Sequence, residues 1–427
     1  MGRYFRSAMT EIKFFFDHLR VYLKWMCFAI IIGGILGAVG AGFYYALSGA
    51  EFIRGKYPFI VFFLPVAGLL VVALYKLLDK DPKHIDNRGT NMALAAINSD
   101  EDVPLRITLL IFVSTVISHI FGASVGREGA ALQMGASIGN KFAKLIKLEE
   151  ADKKILIMTG MSAAFAAIFG SPLTAAVFSM EVVSVGIMHY GALVPCIISA
   201  LSAMSFAKFL GVEYEPYKLT DTMSLAPVAG AKVCLLGILC AMLSIVICVV
   251  LILSERFMQN IFENQYVRIF VAGTAVALLT LAAGTSDYNG LGSDIIVNAV
   301  AGKAVWYAFI LKLIFASVSL SGGYKGGEIV PSLFIGATFG CVVAPLIGIP
   351  AGLGAALGLV AVFCGVTNSP IASFIMGIEL FGSANIWMFG LIVAVSYMMS
   401  GYYGLYKSQL IIYSKYRHVY VRRNAKR

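Results

Sequence analysis

Of 427 residues, 59% are hydrophobic and 13% charged, with a mean hydropathy of +0.85. A soluble chain carries about 25% charged residues, so a water-facing surface of this size is excluded and the bilayer is the solvent that remains. The formal net charge of +10 reads as topology determinants beside anionic headgroups rather than as a nucleic-acid surface.

In chain order, residues 1–24 are amphipathic and carry Arg3, Arg6, Lys13, Arg20 and Lys24. No small-residue cleavage site follows a short apolar core, so no cleavable signal is expected there. Apolar segments then run from residue 25 to about 404 without a gap of soluble-domain size, which predicts one membrane transport domain over 1–427. The basic tail, 405–427, holds Lys415, Arg417, Arg422, Arg423, Lys426 and Arg427. Both termini are therefore expected in the cytoplasm. The seven cysteines (Cys27, Cys196, Cys234, Cys240, Cys248, Cys341 and Cys364) sit in apolar segments without ligand spacing. They read as small core residues, and neither disulfides nor a metal site is expected. No cofactor motif is present, and the five histidines are scattered.

Two blocks recur. Gly126-Arg-Glu-Gly-Ala-Ala-Leu-Gln-Met-Gly-Ala-Ser-Ile-Gly139 matches Gly327-Glu-Ile-Val-Pro-Ser-Leu-Phe-Ile-Gly-Ala-Thr-Phe-Gly340. Ser171-Pro172 and its apolar run to Glu181 match Ser369-Pro370 and the run to Glu379. The offsets are 201 (327 − 126) and 198 (370 − 172). Two blocks in one order at nearly one offset mean a duplication, with a first repeat at about 25–210 and a second at about 228–404. The stretches 130–146, 155–168, 172–187, 331–347 and 370–381 are short or broken by Gly and Pro, where a full crossing needs about 20 residues. Broken segments at matching places in both halves point to a binding site at mid-membrane. Kinked helices packing through Gly135, Ala136 and Gly139 are the plainer alternative.

Three Gly-bearing elements stand at helix starts: Gly89-Thr-Asn-Met-Ala93, Gly126-Arg-Glu-Gly129 and Gly326-Gly-Glu-Ile-Val-Pro331. A helix start offers orphan N–H groups and the positive end of the dipole to an anion. Pro331 suits a first turn, where a missing N–H costs nothing. Two such starts aimed at one point would hold a small anion without a fixed cation, which would bind too tightly for release.

With Gly404-Leu-Tyr-Lys407 added, these elements resemble the four signatures of the CLC chloride channel and transporter family, over about 25–410. The resemblance implies an all-α polytopic membrane protein with an antiparallel (inverted) pair of repeats and about 18 helices, several of them partial. It also implies a homodimer in a prokaryotic cell membrane, with halide ions and protons as the transported partners. Glu128 resembles the gating glutamate: ionised, it competes with the anion, and protonated, it swings away and carries the proton. Tyr406 resembles the tyrosine whose hydroxyl donates to the central anion. Thr90 takes the place of the usual serine and Met92 that of the usual isoleucine, and amides of Glu128, Gly129, Ile329 and Val330 would complete the cradle.

Departures bear on the ion. Ala130 replaces the family's usual proline, and Val182 stands where antiporters often carry a second glutamate. Glu328 in the second signature is similar to the branch that exports fluoride in exchange for protons, although Ala130 and Val330 stand where that branch usually has Thr. Chloride and fluoride both stay open, as do proton antiport and passive conduction. An enzyme is not expected; an intramembrane serine protease would have to use Ser124 with His119, and Ser124 lacks the glycine that usually follows such a nucleophile.

Overall fold

The computed structural model describes residues 2–79, 89–99, 101–214, 217–417 and 419–425, with side chains from residue 14 onward. The side chains of Arg3, Arg6 and Lys13, together with His84, His418, Lys426 and Arg427, lie outside that range. Sixteen α-helices are present among the described residues. In the first half these are α1 (Gly2–Lys56), α2 (Leu64–Leu78), α3 (Gly89–Asn98), α4 (Arg106–Ile120), α5 (Glu128–Leu145), α6 (Glu150–Phe169), α7 (Pro172–Glu181) and α8 (Leu193–Phe209). In the second they are α9 (Pro227–Ile261), α10 (Gln265–Ala283), α11 (Ser293–Val300), α12 (Ala308–Gly322), α13 (Ile329–Val343), α14 (Ala351–Thr367), α15 (Pro370–Phe381) and α16 (Ile386–Met399).

Six of the described helical stretches are long and apolar enough to cross a bilayer, and five shorter ones are apolar. Leu70, Leu109, Met242 and Leu278 lie exposed on the outside, as side chains in contact with lipid do. All seven cysteines are unpaired, and five of them are buried.

Glycines set the closest packing. A Cβ at Gly135 would strike the carbonyl of Gly160, and one at Gly139 that of Leu156, so α5 lies directly on α6. Gly336 meets the Gly358 carbonyl and Gly340 that of Gly354, so α13 lies on α14 in the same way. This is the small-residue crossing by which membrane helices gain contact without a hydrophobic driving force.

α7 and α15 are only 10 and 12 residues long, about 15–18 Å at 1.5 Å per residue and so half a bilayer. Each begins with a proline in its first turn, after Ser171 (φ −117, ψ 80) and Ser369 (φ −120, ψ 76). Each carries in its last turn a glutamate that caps the other. Glu181 accepts hydrogen bonds from the amides of Ile371 (3.1 Å) and Ala372 (2.9 Å). Glu379 accepts from the amides of Leu173 and Thr174 (both 2.9 Å) and from the Thr174 hydroxyl (2.6 Å). The orphan N–H groups of each short helix are thus satisfied by the opposite half, which requires the two helices to run antiparallel.

The helical reading is incomplete in one place. A small sheet joins β1 (Ser184–Val185), parallel to β2 (Leu410–Tyr413), with β3 (Tyr420–Asn424) antiparallel beyond it. Gly186 at φ +91 turns the first chain away after its two residues, and Leu410-Ile-Ile-Tyr413 is the branched and aromatic run that favours a strand. Within the basic tail, Lys415 does not face headgroups. Its Nζ donates to the Asn368 side chain (2.5 Å), the Tyr397 carbonyl (3.1 Å) and the Ser400 hydroxyl (3.2 Å).

Candidate functional site

The two Gly-flanked helix starts meet. Gly126 and Gly327 form an antiparallel bridge, N–H to carbonyl in both directions at 2.7 and 2.8 Å. A Cβ at Gly129 would press on Gly327, and one at Gly89 on the backbone of Gly129. Three segments distant in sequence therefore close on one another without side chains between them. That contact is the physical need for glycine at these positions.

Beside the bridge, the fully buried carboxylate of Glu128 lies on the N-terminus of α13. Its Oε1 accepts from the Ile329 amide at 2.5 Å, with the amides of Val330 and of Glu128 itself alongside. Its Oε2 has no hydrogen-bond partner among the described residues. A carboxylate on N-terminal amides is favoured by both the orphan donors and the dipole. A small anion would find the same donors there.

Next to the bridge residue Gly327, Glu328 occupies the N-cap position of α13 and is buried. Its carbonyl accepts from the Ser332 hydroxyl at 2.8 Å. Tyr406 lies within electrostatic range of both Glu328 and Glu128. Its hydroxyl is enclosed, with the Thr90 hydroxyl beside it. Thr90 and Met92 are buried in the first turn of α3, and Met92 Sδ accepts from Gln133 Nε2 at 3.2 Å. Glu128, Gly129, Glu328, Ile329, Val330, Thr90, Met92 and Tyr406 thus come from four segments into one region.

A cavity of about 460 Å³ opens beside this region, with Ile329 and Val330 in its wall. Arg127, Glu51, Glu213 and Asp294 line it too. The Arg127 guanidinium lies 5.1 Å over the Phe169 ring, and its Nε has no hydrogen-bond partner among the described residues. Arg127 and Glu328 are 201 positions apart, so equivalent places in the two repeats hold a basic residue in one and an acidic residue in the other.

Sequence reasoning missed the buried cation Lys312. Its Nζ donates to the carbonyls of Gly290 (2.7 Å) and Tyr288 (3.2 Å). Nearby, Arg54 Nη1 donates to the His119 carbonyl at 2.6 Å. The signal for Lys312 was its isolation within the apolar run of α12. Ser124 Oγ and His119 Nε2 bond neither each other nor any described group, which removes the geometric basis of a serine–histidine nucleophile.

An internally duplicated membrane bundle, with a carboxylate seated on the amides of an opposed helix, defines a membrane protein organised around the path of a small anion. The family described as voltage gated chloride channel matches residues 67–401, and the chain belongs to that family. A chloride/fluoride channel protein of Pseudomonas syringae pv. tomato is 33% identical over 407 residues, covering 94% of this chain and 89% of the relative. An uncharacterized protein of Methanocaldococcus jannaschii is 25% identical, covering 88% and 92%. Among solved structures, a CLC-type fluoride/proton antiporter superposes with a TM-score of 0.87 at 31% identity, over 91% of this chain and 98% of that one. A slow cyanobacterial Cl⁻/H⁺ antiporter shares the fold, with a TM-score of 0.75 at 18% identity over 88% and 94%.

Proposed function

We propose that the chain is a halide–proton antiporter in which Glu128 is the shared gate. The observation that carries this reading is the Glu128 carboxylate on the Ile329 amide. Ionised, it fills the place of the anion and shuts the path. Protonated, it loses the charge that the amides favour and leaves, so an anion enters as a proton moves. Thr90 and Tyr406 supply hydroxyl donors on the far side, and the amides of Gly129, Ile329 and Val330 line the near side, replacing the water that a desolvated anion gives up. Met92 gives this cradle an apolar wall. Glu328, near Tyr406, is the second carboxylate on the path, in a chain whose Val182 relays no proton. Fluoride is the preferred cargo. Likeness to the Pseudomonas chloride/fluoride channel protein and to the 31% identical fluoride/proton antiporter supports it, as does Glu328 in the second signature.

The protein works in a prokaryotic cell membrane, both termini in the cytoplasm, as a homodimer with one path per subunit. The test is the reversal potential of purified protein in liposomes under crossed proton and halide gradients. A potential that shifts with the pH gradient, and lies closer to the exchange value with fluoride than with chloride, is expected. A potential that follows the halide gradient alone would make the protein a passive channel.

A further inference from the structure

The segment Gly404–Gln409 holds Tyr406 outside any helix or strand, so no regular hydrogen-bond ladder sets the depth of its hydroxyl. Other groups do. The Leu405 amide donates to the Val366 carbonyl at 2.9 Å. The Ser408 amide donates to Asn91 Oδ1 at 3.2 Å, and Asn98 Nδ2 donates to the Ser408 carbonyl at 2.8 Å and that of Val183 at 3.2 Å. The Leu405 bond ties the segment to the second half, and the Ser408 bonds tie it to the first.

The hold converges on one residue. Gln409 is fully buried. Its Nε2 donates to the carbonyls of Val182 (2.9 Å) and Thr367 (2.8 Å), and its Oε1 accepts from Asn368 Nδ2 at 2.9 Å. Its own amide donates to the Tyr406 carbonyl at 3.3 Å, and its carbonyl accepts from Ala425. Val182 is the C-cap of α7 and Thr367 the last residue of α14. A helix leaves its last carbonyls unpaired, and one carboxamide has two N–H donors. Gln409 spends both, one on each repeat. Asn368, which stands left-handed at φ 58 after α14, adds a bond to the Tyr403 carbonyl at 3.0 Å, and Lys415 holds its oxygen from the tail.

We infer that Gln409 is a positioning residue for halide selection: by bonding the ends of α7 and α14 and the Asn368 amide, it fixes the Tyr406 hydroxyl at one depth. A hydroxyl held at one depth fits one ionic radius, and a slack segment lets it fit either. Val182 takes part through its backbone carbonyl, in the place where many antiporters carry a carboxylate. The inference rests on the reading of Tyr406 as an anion donor.

The experiment compares the ratio of kcat/KM for fluoride and chloride in liposome flux, for Gln409→Met, Tyr406→Phe and the double variant. Gln409→Met keeps length and volume while removing all three side-chain bonds. It is expected to lower the fluoride-over-chloride ratio about tenfold, with the double variant no lower than Tyr406→Phe alone, because two residues acting through one hydroxyl do not add. The change lies in the KM values of the two halides, whereas loss of folded protein lowers both kcat values together. Asn98→Leu, which frees the Ser408 carbonyl, shifts the ratio the same way and carries the test if Gln409→Met does not fold. If Tyr406→Phe leaves the ratio unchanged, the anion-donor reading falls. If Tyr406→Phe shifts the ratio while neither Gln409→Met nor Asn98→Leu does, or the effects add, the positioning role alone is overturned.

Discussion

The two halves of the molecule agree in their backbones and differ in their chemistry. The crossings of α5 on α6 and α13 on α14 use glycines at equivalent places. Ser171 and Ser369 enter their short helices with nearly the same dihedrals, after left-handed Gly170 and Asn368. Arg127 and Glu328 are both N-caps with closely similar backbones, φ −109 and −98. Yet Glu128 has Ile329 as its counterpart, and Arg127 has Glu328. Where packing decides, the copies have been held alike. Where an ion would pass, they have been made unlike, so each half supplies what the other lacks: the carboxylate comes from the first and the amides that receive it from the second.

The sharpest way to break that comparison is to remove the difference. Glu128→Gln keeps the volume of the side chain and cannot ionise, so proton coupling is expected to fall to background while halide still crosses, measured as proton uptake against halide flux in the same vesicles. Glu328→Gln is expected to slow proton flux and alter the fluoride-over-chloride preference without unfolding the protein. Full coupling in the Glu128 variant, or equal losses in both, would mean that the halves are chemically equivalent after all.

How much of this was legible beforehand follows the same division. Glycine and proline act on their own backbone, so Gly126, Gly129, Gly327 and Pro331 announced the broken helices and the repeat from the sequence. Glu128 stood out through the resemblance of Gly126-Arg-Glu-Gly129 to a family signature. Partnerships across the halves were not legible. Glu181 and Glu379 read only as the ends of two matched runs, because helical periodicity does not say which opposed helix a side chain reaches. Gln409 and Asn368 carried no motif at all, and Lys415 passed for a headgroup contact until the fold turned it inward. The strand pairing of the tail was missed because its partner, β1, is two residues long.

A second test addresses the part that is alike. Gly135→Ala puts a methyl against the Gly160 carbonyl, and Gly336→Ala puts one against that of Gly358. Overpacking of this kind costs about 1–3 kcal/mol, and thermal unfolding in detergent is expected to show both variants destabilised to a similar extent. A cost confined to one half would show that the glycine crossings are alike in shape but not in the room around them.

The smallest effect concerns the reciprocal caps. Each of Glu181 and Glu379 brings side-chain acceptor oxygens to two amides of the other repeat. A glutamine in either place keeps one acceptor oxygen and puts an N–H₂ group against an amide donor. The loss is about 0.5–1.5 kcal/mol per variant, the net contribution of one hydrogen bond. Glu379→Gln should lose slightly more, because the Thr174 hydroxyl also depends on that carboxylate. The informative measurement is the double variant. Each cap holds α7 and α15 in the register that lets the other form, so removing the first already weakens the second. The double variant is then less destabilised than the sum of the two singles, by more than about 0.5 kcal/mol. Strict additivity in the same unfolding assay would mean that the two caps act alone, and that the halves are joined at the Gly126–Gly327 bridge and not by the short helices.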